Sequence, residues 1–383
     1  MCPKTQPRRR GLRITAWSLV TVLVVAAGLV GVVLWQNSYD MDEQRVTIRH
    51  GGHTLNAVLA TPKDHRKQHG LVVYVHGDGP IDATHDDGYK PIWEANAKAG
   101  YASLSWDKPG VAGAPGNWLD QSMDDRAAEA AAAITWARSR PDIDADRIGL
   151  WGASQAGWVL PKIAARTPVS FVIAVSPAIN WLQQGRHHLL AELRADGASA
   201  ARTKAAIAKS DTTRRLLARQ ATFEEYVKAT GGDTDGMTAA RWGFISKNYT
   251  ADATRDLRAL RGIPVLLTLA GHDINVDTAD TERVYRKVLV PGSALTVKRL
   301  SAGVPFTAQA VRRAVGRQDH AYRPLLPPLT LRERLPGRPA TVPEGSRPRR
   351  QRHSMTSHLV AFVRAGARLE RGRLVERSEA VAA

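Results

Sequence analysis

Hydrophobic and polar positions follow different rhythms in different parts of this chain. From Ile14 to Trp35 the sequence ITAWSLVTVLVVAAGLVGVVLW runs 22 residues without a charge. At about 1.5 Å per residue it would be about 33 Å long as a helix, against a hydrocarbon core of about 30 Å. The pattern predicts a transmembrane helix over 14–35. A cleaved signal peptide and a buried soluble helix are the competing readings. The run is longer than a usual signal core, and no clear A-x-A site follows it.

After a linker the rhythm changes. RVTIRH and HTLNAVLATP flank Gly51-Gly52, a hairpin pattern. GLVVYVHG, YASLSWD, RIGLWGAS, VSFVIAVSP, IPVLLTLAGHD and ALTVKRL read as strands, and GLVVYVHG has the continuous apolar character of a strand covered on both faces. Between them PIWEANAKAG, SMDDRAAEAAAAITWARSR, QAGWVLPKIAART and TADTERVYRKVL read as helices. Ser122 is placed to cap the second of these, with Asp124 and Asp125 in its first turn. Strands alternating with helices predict the α/β class with a mostly parallel, doubly wound sheet. Over 179–260 the alternation stops, and WLQQGRHHLLAELRADG, ARTKAAIAKS and TFEEYVKATGG predict a helical insertion. No internal repeat is visible. The expected organisation is a basic tail over 1–13, the span over 14–35, an α/β domain over 45–300 and a distinct segment over 301–383.

Charge sharpens these boundaries. The net charge is +18 over 383 residues, and residues 301–383 hold 16 Arg, no Lys and 6 acids, or +10 of it. Arg8, Arg9 and Arg10 precede the apolar run, so the positive-inside rule places the N-terminus in the cytoplasm and the remainder outside. The expected location is the cell membrane, by a single pass. An Arg-rich tail could bind nucleic acid or anionic lipid. It carries no recognition motif, and outside the membrane no nucleic-acid partner is expected. The lone cysteine, Cys2, excludes an internal disulfide.

The candidate chemistry centres on Gly152-Ala153-Ser154-Gln155-Ala156. A strand, then Gly-x-Ser-x-small, then a helix is the pattern of a nucleophile held on a sharp turn. The residues two positions either side must be small, and Gly152 and Ala156 are; glycine is the commoner residue at the second place. A plain N-cap serine is the alternative. The turn would aim the Gln155 N–H at a reacting carbonyl. In VVYVHGDGP, Gly77 and Gly79 allow close backbone approach, and the Asp78 N–H is the candidate second oxyanion donor. An ordinary Gly-rich turn is the other reading. In LLTLAGHDINVD, Asp273 follows a buried strand and would orient a histidine base. Asp277 and Asp280 sit at a helix start, where capping explains them.

On HGDGP, SWDKPGVAGAPGNW, GASQAG and AGHDINVD, the chain over about 45–300 resembles the α/β-hydrolase fold family. Within it the chain resembles the dienelactone-hydrolase and serine-peptidase-like branch of bacterial esterases. The resemblance implies Ser154 as nucleophile, Asp273 as acid, oxyanion amides at Gln155 and Asp78, and a cap over 179–260 that shapes the acyl pocket. It implies hydrolysis of an ester, thioester or amide through an acyl-enzyme, with no metal or cofactor. The expected partner is a small acyl substrate or a peptide.

The resemblance also implies a histidine a few residues beyond ALTVKRL, in a Pro-x-Ala-x-His-Ser-like loop. The first histidine there is His320, twenty residues past Leu300; His353 and His358 follow. His320 is the candidate base of this chain, with a solvated loop residue as the alternative. Lysine vanishes at the same point, and eight of 21 prolines fall in the segment. Codons that encode Ser301–Gln309, read one base later, permit Pro, a free position, Ala, Ser, His, Ser, Leu, Leu and Lys or Arg. A frameshift near residue 300 is therefore expected; a real insertion that returns His320 to the site is the competing account. A chain without the base would be a catalytically inactive, hydrolase-like binding protein.

Other polar clusters read as structural. His65 and His69, and His85 with Asp86 and Asp87, are expected in solvated loops, not in a metal site. His187-His188 are expected at a surface or a pocket rim, and Asn248-Tyr249-Thr250 is a glycosylation acceptor in a host that glycosylates.

Overall fold

The computed structural model describes residues 38–300 apart from 235, 272 and 290–293. The apolar run over 14–35 and the segment from 301 onward, with His320, lie outside the described residues. Among the described residues no helix is long and apolar enough to cross a membrane.

The strands follow the apolar runs: β1 Met41–His50, β2 His53–Pro62, β3 His69–Val75, β4 Tyr101–Trp106, β5 Ile143–Ala153, β6 Phe171–Val175, β7 Val265–Ala270 and β8 Leu295–Leu300. They form one sheet in the order β1-β2-β4-β3-β5-β6-β7-β8. The β1–β2 hairpin and the β2–β4 pair are antiparallel, and every other pair is parallel. In β3, β4 and β6 every residue is buried; β3 from Leu71 and β6 therefore read as unbroken apolar runs, while β4 buries Ser103 and Ser105 among its apolar residues.

The covering helices are α1 Lys90–Lys98, α2 Met123–Arg138, α3 Leu160–Arg166 and, near the end, α8 Thr278–Leu289. Ser122 accepts from Asp125 N–H while the Asp125 carboxylate accepts from Ser122 N–H, a full capping box that fixes where α2 begins. Ala127, Ala130, Ala133 and Ala137 recur on one fully buried face of α2, so the helix backbone can approach the sheet closely. The helix expected over 155–167 is divided: a 3-10 turn spans Ser154–Trp158, and α3 starts at Leu160. Pro161 explains the restart, because it has no N–H to give and is tolerated only in a first turn.

Between β6 and β7 lie α4 Trp181–Ala195, α5 Ala200–Ala218, α6 Phe223–Ala229 and α7 Ala239–Asn248. Asn248, the expected glycan acceptor, is buried, and its Nδ2 donates to Gln121 O and Phe244 O at 3.0 Å. That amide is occupied in packing, so the acceptor reading does not hold. His69 is likewise buried at the start of β3 rather than in a solvated loop.

Strand order decides where a ligand can sit. From β3 the chain moves to β4 on one side and later to β5 on the other. Such a reversal opens a crevice at the carboxyl ends of the two strands. The segments that leave those ends are His76–Gly79 and Ser154–Trp158.

Candidate active site

Extended backbone ends at Ala153, and Ser154 turns to φ +53°. A non-glycine residue in this region costs about 1–3 kcal/mol and persists only where its surroundings hold it. The Ser154 carbonyl accepts from Ala178 N–H at 2.9 Å. The turn is so tight that a Cβ on Gly152 would stand 2.7 Å from the Ala156 Cβ. A Cβ on Gly157 would stand 2.4 Å from the Ala178 carbonyl oxygen. The small residues at 152 and 156 were legible in the sequence. The need for Gly157 depends on the loop after β6 and was not.

The His76–Gly79 loop passes against this turn. A Cβ on Gly77 would lie 3.8 Å from the Ser154 Cβ. The loop is gripped from beneath by buried cations. Lys108 Nζ donates to Gly77 O at 2.7 Å and to Gly79 O at 2.8 Å. Arg126, in the first turn of α2, donates to His76 O and to Gln155 Oε1, each at 2.5 Å. Gln155 Nε2 donates to Asp78 Oδ1 at 2.9 Å. In a trans peptide the N–H points opposite the preceding carbonyl. Holding Gly77 O on Lys108 therefore turns the Asp78 N–H away from the ammonium.

Arg241 of α7 completes the cluster. Its guanidinium pairs with Asp78 at 2.5 Å and lies over the rings of Phe244 and Trp118. Burial alone would raise the Asp78 carboxyl; Arg241, then Lys108 and the Gln155 bond, outweigh it and hold the group below its ordinary range. Burial, reinforced by Arg126, pushes the Lys108 ammonium well below its usual value. Lys108, Arg126 and Arg241 carried no motif of their own in the sequence, since a charged residue in a helix or loop usually faces solvent. Only the SWDKPG stretch around Lys108 stood out.

His76 is the histidine of the HGDGP motif and is a packing residue. Its Nε2 donates to Trp106 O at 2.6 Å, which leaves Nδ1 to accept from the Tyr89 hydroxyl at 3.1 Å. Burial, then the Lys108 charge, pushes its pKa well below 6.5, so the ring is neutral in the fold. An unfolded imidazole titrates near pH 6.5. Below that pH the unfolded chain binds a proton that the native ring refuses, so stability falls as pH falls. The slope is about 1.4 kcal/mol per pH unit until the native pKa is reached. His69, lowered chiefly by burial, adds in the same direction. Urea unfolding between about pH 7 and pH 5 is expected to show this loss and His76→Gln to remove one histidine's share of it. Flat stability across that window would refute the assignment.

Asp273 lies past the end of β7. Its Oδ1 accepts from Asn275 N–H at 2.9 Å and Val276 N–H at 3.0 Å. Its Oδ2 has no partner among the described residues. Ala153 pairs with Val175, and Val175 with Thr268, so β5 and β6 end level and β7 runs on in the same direction to Ala270. Ser154 and Asp273 thus leave the same edge of the sheet, from strands about 10 Å apart. The loop after β6 ties the two regions together. Ser176 Oγ accepts from Ala270 N–H at 3.2 Å, and Pro177 O accepts from the Thr281 hydroxyl at 3.1 Å. The structure therefore brings Ser154, Gln155, Asp78 and Asp273 to one end of the sheet; His320 lies outside the described residues.

The paired histidines of α4 sit over the Asp273 loop. His187 Nε2 lies 3.3 Å from Asp273 O, and His188 Nδ1 lies 3.0 Å from Ile274 O. His188 is buried, so the expected surface or rim position holds for His187 alone. Asp277 Oδ1 accepts from Asp280 N–H at 3.0 Å, the capping role expected for it. Among the described residues no group of His, Cys, Asp and Glu could hold a metal ion.

A parallel sheet with this strand order, a strained serine turn at its switch point and an aspartate past β7 defines an α/β-hydrolase. The chain belongs to the Hydrolase_4 family, described as serine aminopeptidase, S33, whose model matches residues 66–298. No curated protein matches the chain. Solved structures that match include the α/β-hydrolase GrgF from Penicillium sp. sh18, at 18% identity over 72% of this chain and 96% of that chain, TM-score 0.47. The Pyrococcus furiosus esterase Pf2001 matches at 16% identity over 72% and 87%, TM-score 0.48. Dienelactone hydrolase from Anabaena variabilis matches at 16% identity over 73% and 95%, TM-score 0.42.

Proposed function

We propose that this hydrolase is a serine enzyme that cleaves a carboxylic ester or related acyl bond through an acyl-enzyme. The observation that carries the reading is Ser154 at φ +53°, beside Gly77 at the crevice between β3 and β5. Ser154 Oγ attacks the acyl carbonyl as a histidine takes its proton. The N–H groups of Gln155 and Asp78 receive the oxyanion, and Asp273 Oδ2 orients the histidine. Collapse expels the alcohol, which leaves with the proton from the histidine. Water then repeats the sequence and frees the acid and Ser154. A peptidase of the same fold is the neighbouring reading, favoured by the family's description.

The base comes from beyond Leu300, and His320 is the first histidine there. A gene shifted near codon 300 is the favoured source of that base, on the loss of lysine and on the histidine loop that the shifted codons permit; His320 in the frame as given is the second reading. The 22-residue apolar run and the arginines before it support a cell-membrane anchor with the catalytic domain outside.

A fluorophosphonate is expected to label Ser154 in a chain that carries the base, read by mass spectrometry of the modified peptide, and Ser154→Ala to abolish labelling; no labelling of the intact chain in the frame as given supports the inactive, hydrolase-like binding protein. Turnover of short-chain p-nitrophenyl esters ahead of aminoacyl and peptidyl coumarins supports the esterase. The reverse order supports the peptidase. Labelling that persists in Ser154→Ala sinks the nucleophile assignment.

A further inference from the structure

A cavity of about 450 Å³ opens beside the Asp273 loop, between α4, α5 and the start of α8. That is within the size range of small-molecule sites. Leu182, Arg186, Leu190 and Arg194 recur every four residues of α4 and lie along the face that lines it. Leu182 and Leu190, with Ile179 and Val276, make part of its wall apolar.

The charged groups in this wall are unevenly engaged. Arg186 is paired with Asp211 of α5. Asp277 caps α8 and lies 3.7 Å from His187 Nδ1, and Asp280 is paired with Arg283. Arg194 and Arg214 also line the cavity, and neither has a carboxylate partner among the described residues. Arg214 stands one turn beyond Asp211 on α5, so that acid is already taken up by Arg186. Gln184 lines the same space, and its buried Oε1 has no partner among the described residues.

Two guanidinia without carboxylate partners and an aliphatic wall fit one kind of ligand. We propose that this cavity binds an aliphatic carboxylate, its chain against Leu182 and Leu190 and its carboxylate on Arg194 and Arg214. Arginine suits the task because its fork matches the two oxygens of a carboxylate. The acid released by ester hydrolysis and an acid supplied from solution present the same group. The site stands on the cavity wall and does not require the serine mechanism.

The test is calorimetric titration of the full-length Ser154→Ala protein with octanoate, octan-1-ol and octylammonium. Octanoate is expected to bind at least about tenfold more tightly than octanol, and octylammonium more weakly than either. Arg194→Gln with Arg214→Gln is expected to bring octanoate down to the level of octanol while leaving octanol unchanged. Arg214→Lys, which keeps the charge, retains most of the affinity and controls for misfolding. Competitive inhibition of octanoyl-ester turnover by octanoate marks the acid as product; non-competitive inhibition marks it as a separate effector. Equal binding of octanoate and octanol by the starting protein, or octanoate binding untouched by the double substitution, overturns the proposal. The binding measurement is made on protein that lacks Ser154, so failure here and failure of the serine reading are separate results.

Discussion

Reading the gene one base later from codon 300 is expected to raise ester turnover by about 10⁶-fold over a chain that lacks its base. The physical ground is that nucleophile and base act as a unit. Without an imidazole to accept its proton, Ser154 remains a neutral alcohol of low nucleophilicity. What survives is the contribution of the oxyanion donors and of binding, about 10³–10⁴ over water. Two versions of the full-length protein, one in each frame, assayed on the same p-nitrophenyl ester, give the comparison. Equal rates from the two would end the frameshift account. In the frame as given, His320→Ala separates the alternatives. A drop of about 10² or more assigns the base to His320, since a general base is worth about 10²–10⁴. No change leaves the given frame without one. Clean resequencing through codon 300 removes an error of sequencing but leaves a shift in the gene itself.

Arg126→Met is expected to lower kcat by about 10²–10³ with little change in KM, the size of effect seen when one oxyanion donor is lost. Arg126 is a positioning residue. It holds His76 O and Gln155 Oε1 at once, and so ties the loop after β3 to the turn after β5. Without it both acceptors are left buried, at about 1–3 kcal/mol each. The His76–Gly79 loop keeps Lys108 from beneath, Arg241 from α7, the Gln155–Asp78 bond and the His76 ring contacts, but loses the one side chain that bonds both His76 O and Gln155 Oε1. In the proposed mechanism the Gln155 and Asp78 donors would then no longer stand where the oxyanion develops, which affects the transition state more than substrate binding. Arg126→Lys restores one of the two bonds and is expected to recover part of kcat. Steady-state kinetics on folded protein, with urea unfolding alongside, measure both effects. A folded Arg126→Met enzyme with kcat within about threefold of the parent would remove the residue from this role.

Both predictions turn on features that differ in how far sequence could reach them. The strands were legible because a parallel sheet covered on both faces demands unbroken apolar runs, and GLVVYVHG or VSFVIAVSP satisfies that locally. The start of α2 was legible because Ser122 and Asp125 cap it within four residues. The serine turn could be read because its steric demand falls on near neighbours, Gly152 and Ala156. Asn248 was misread because a three-residue glycosylation pattern says nothing about burial, and the contact that buries it comes from Gln121, far away in the chain.

By itself the sequence determined the α/β alternation, the candidate serine and aspartate, and the apolar run and basic stretch that bracket them. These are properties of short windows, where periodicity, small side chains and charge act on adjacent residues. Only the tertiary structure decided that the order β4-β3-β5 opens a crevice beside Ser154, that Lys108, Arg126 and Arg241 converge on one loop, and that α4 and α5 leave two arginines facing a cavity. Those outcomes depend on which strands become neighbours, and that is set by packing the whole apolar surface at once.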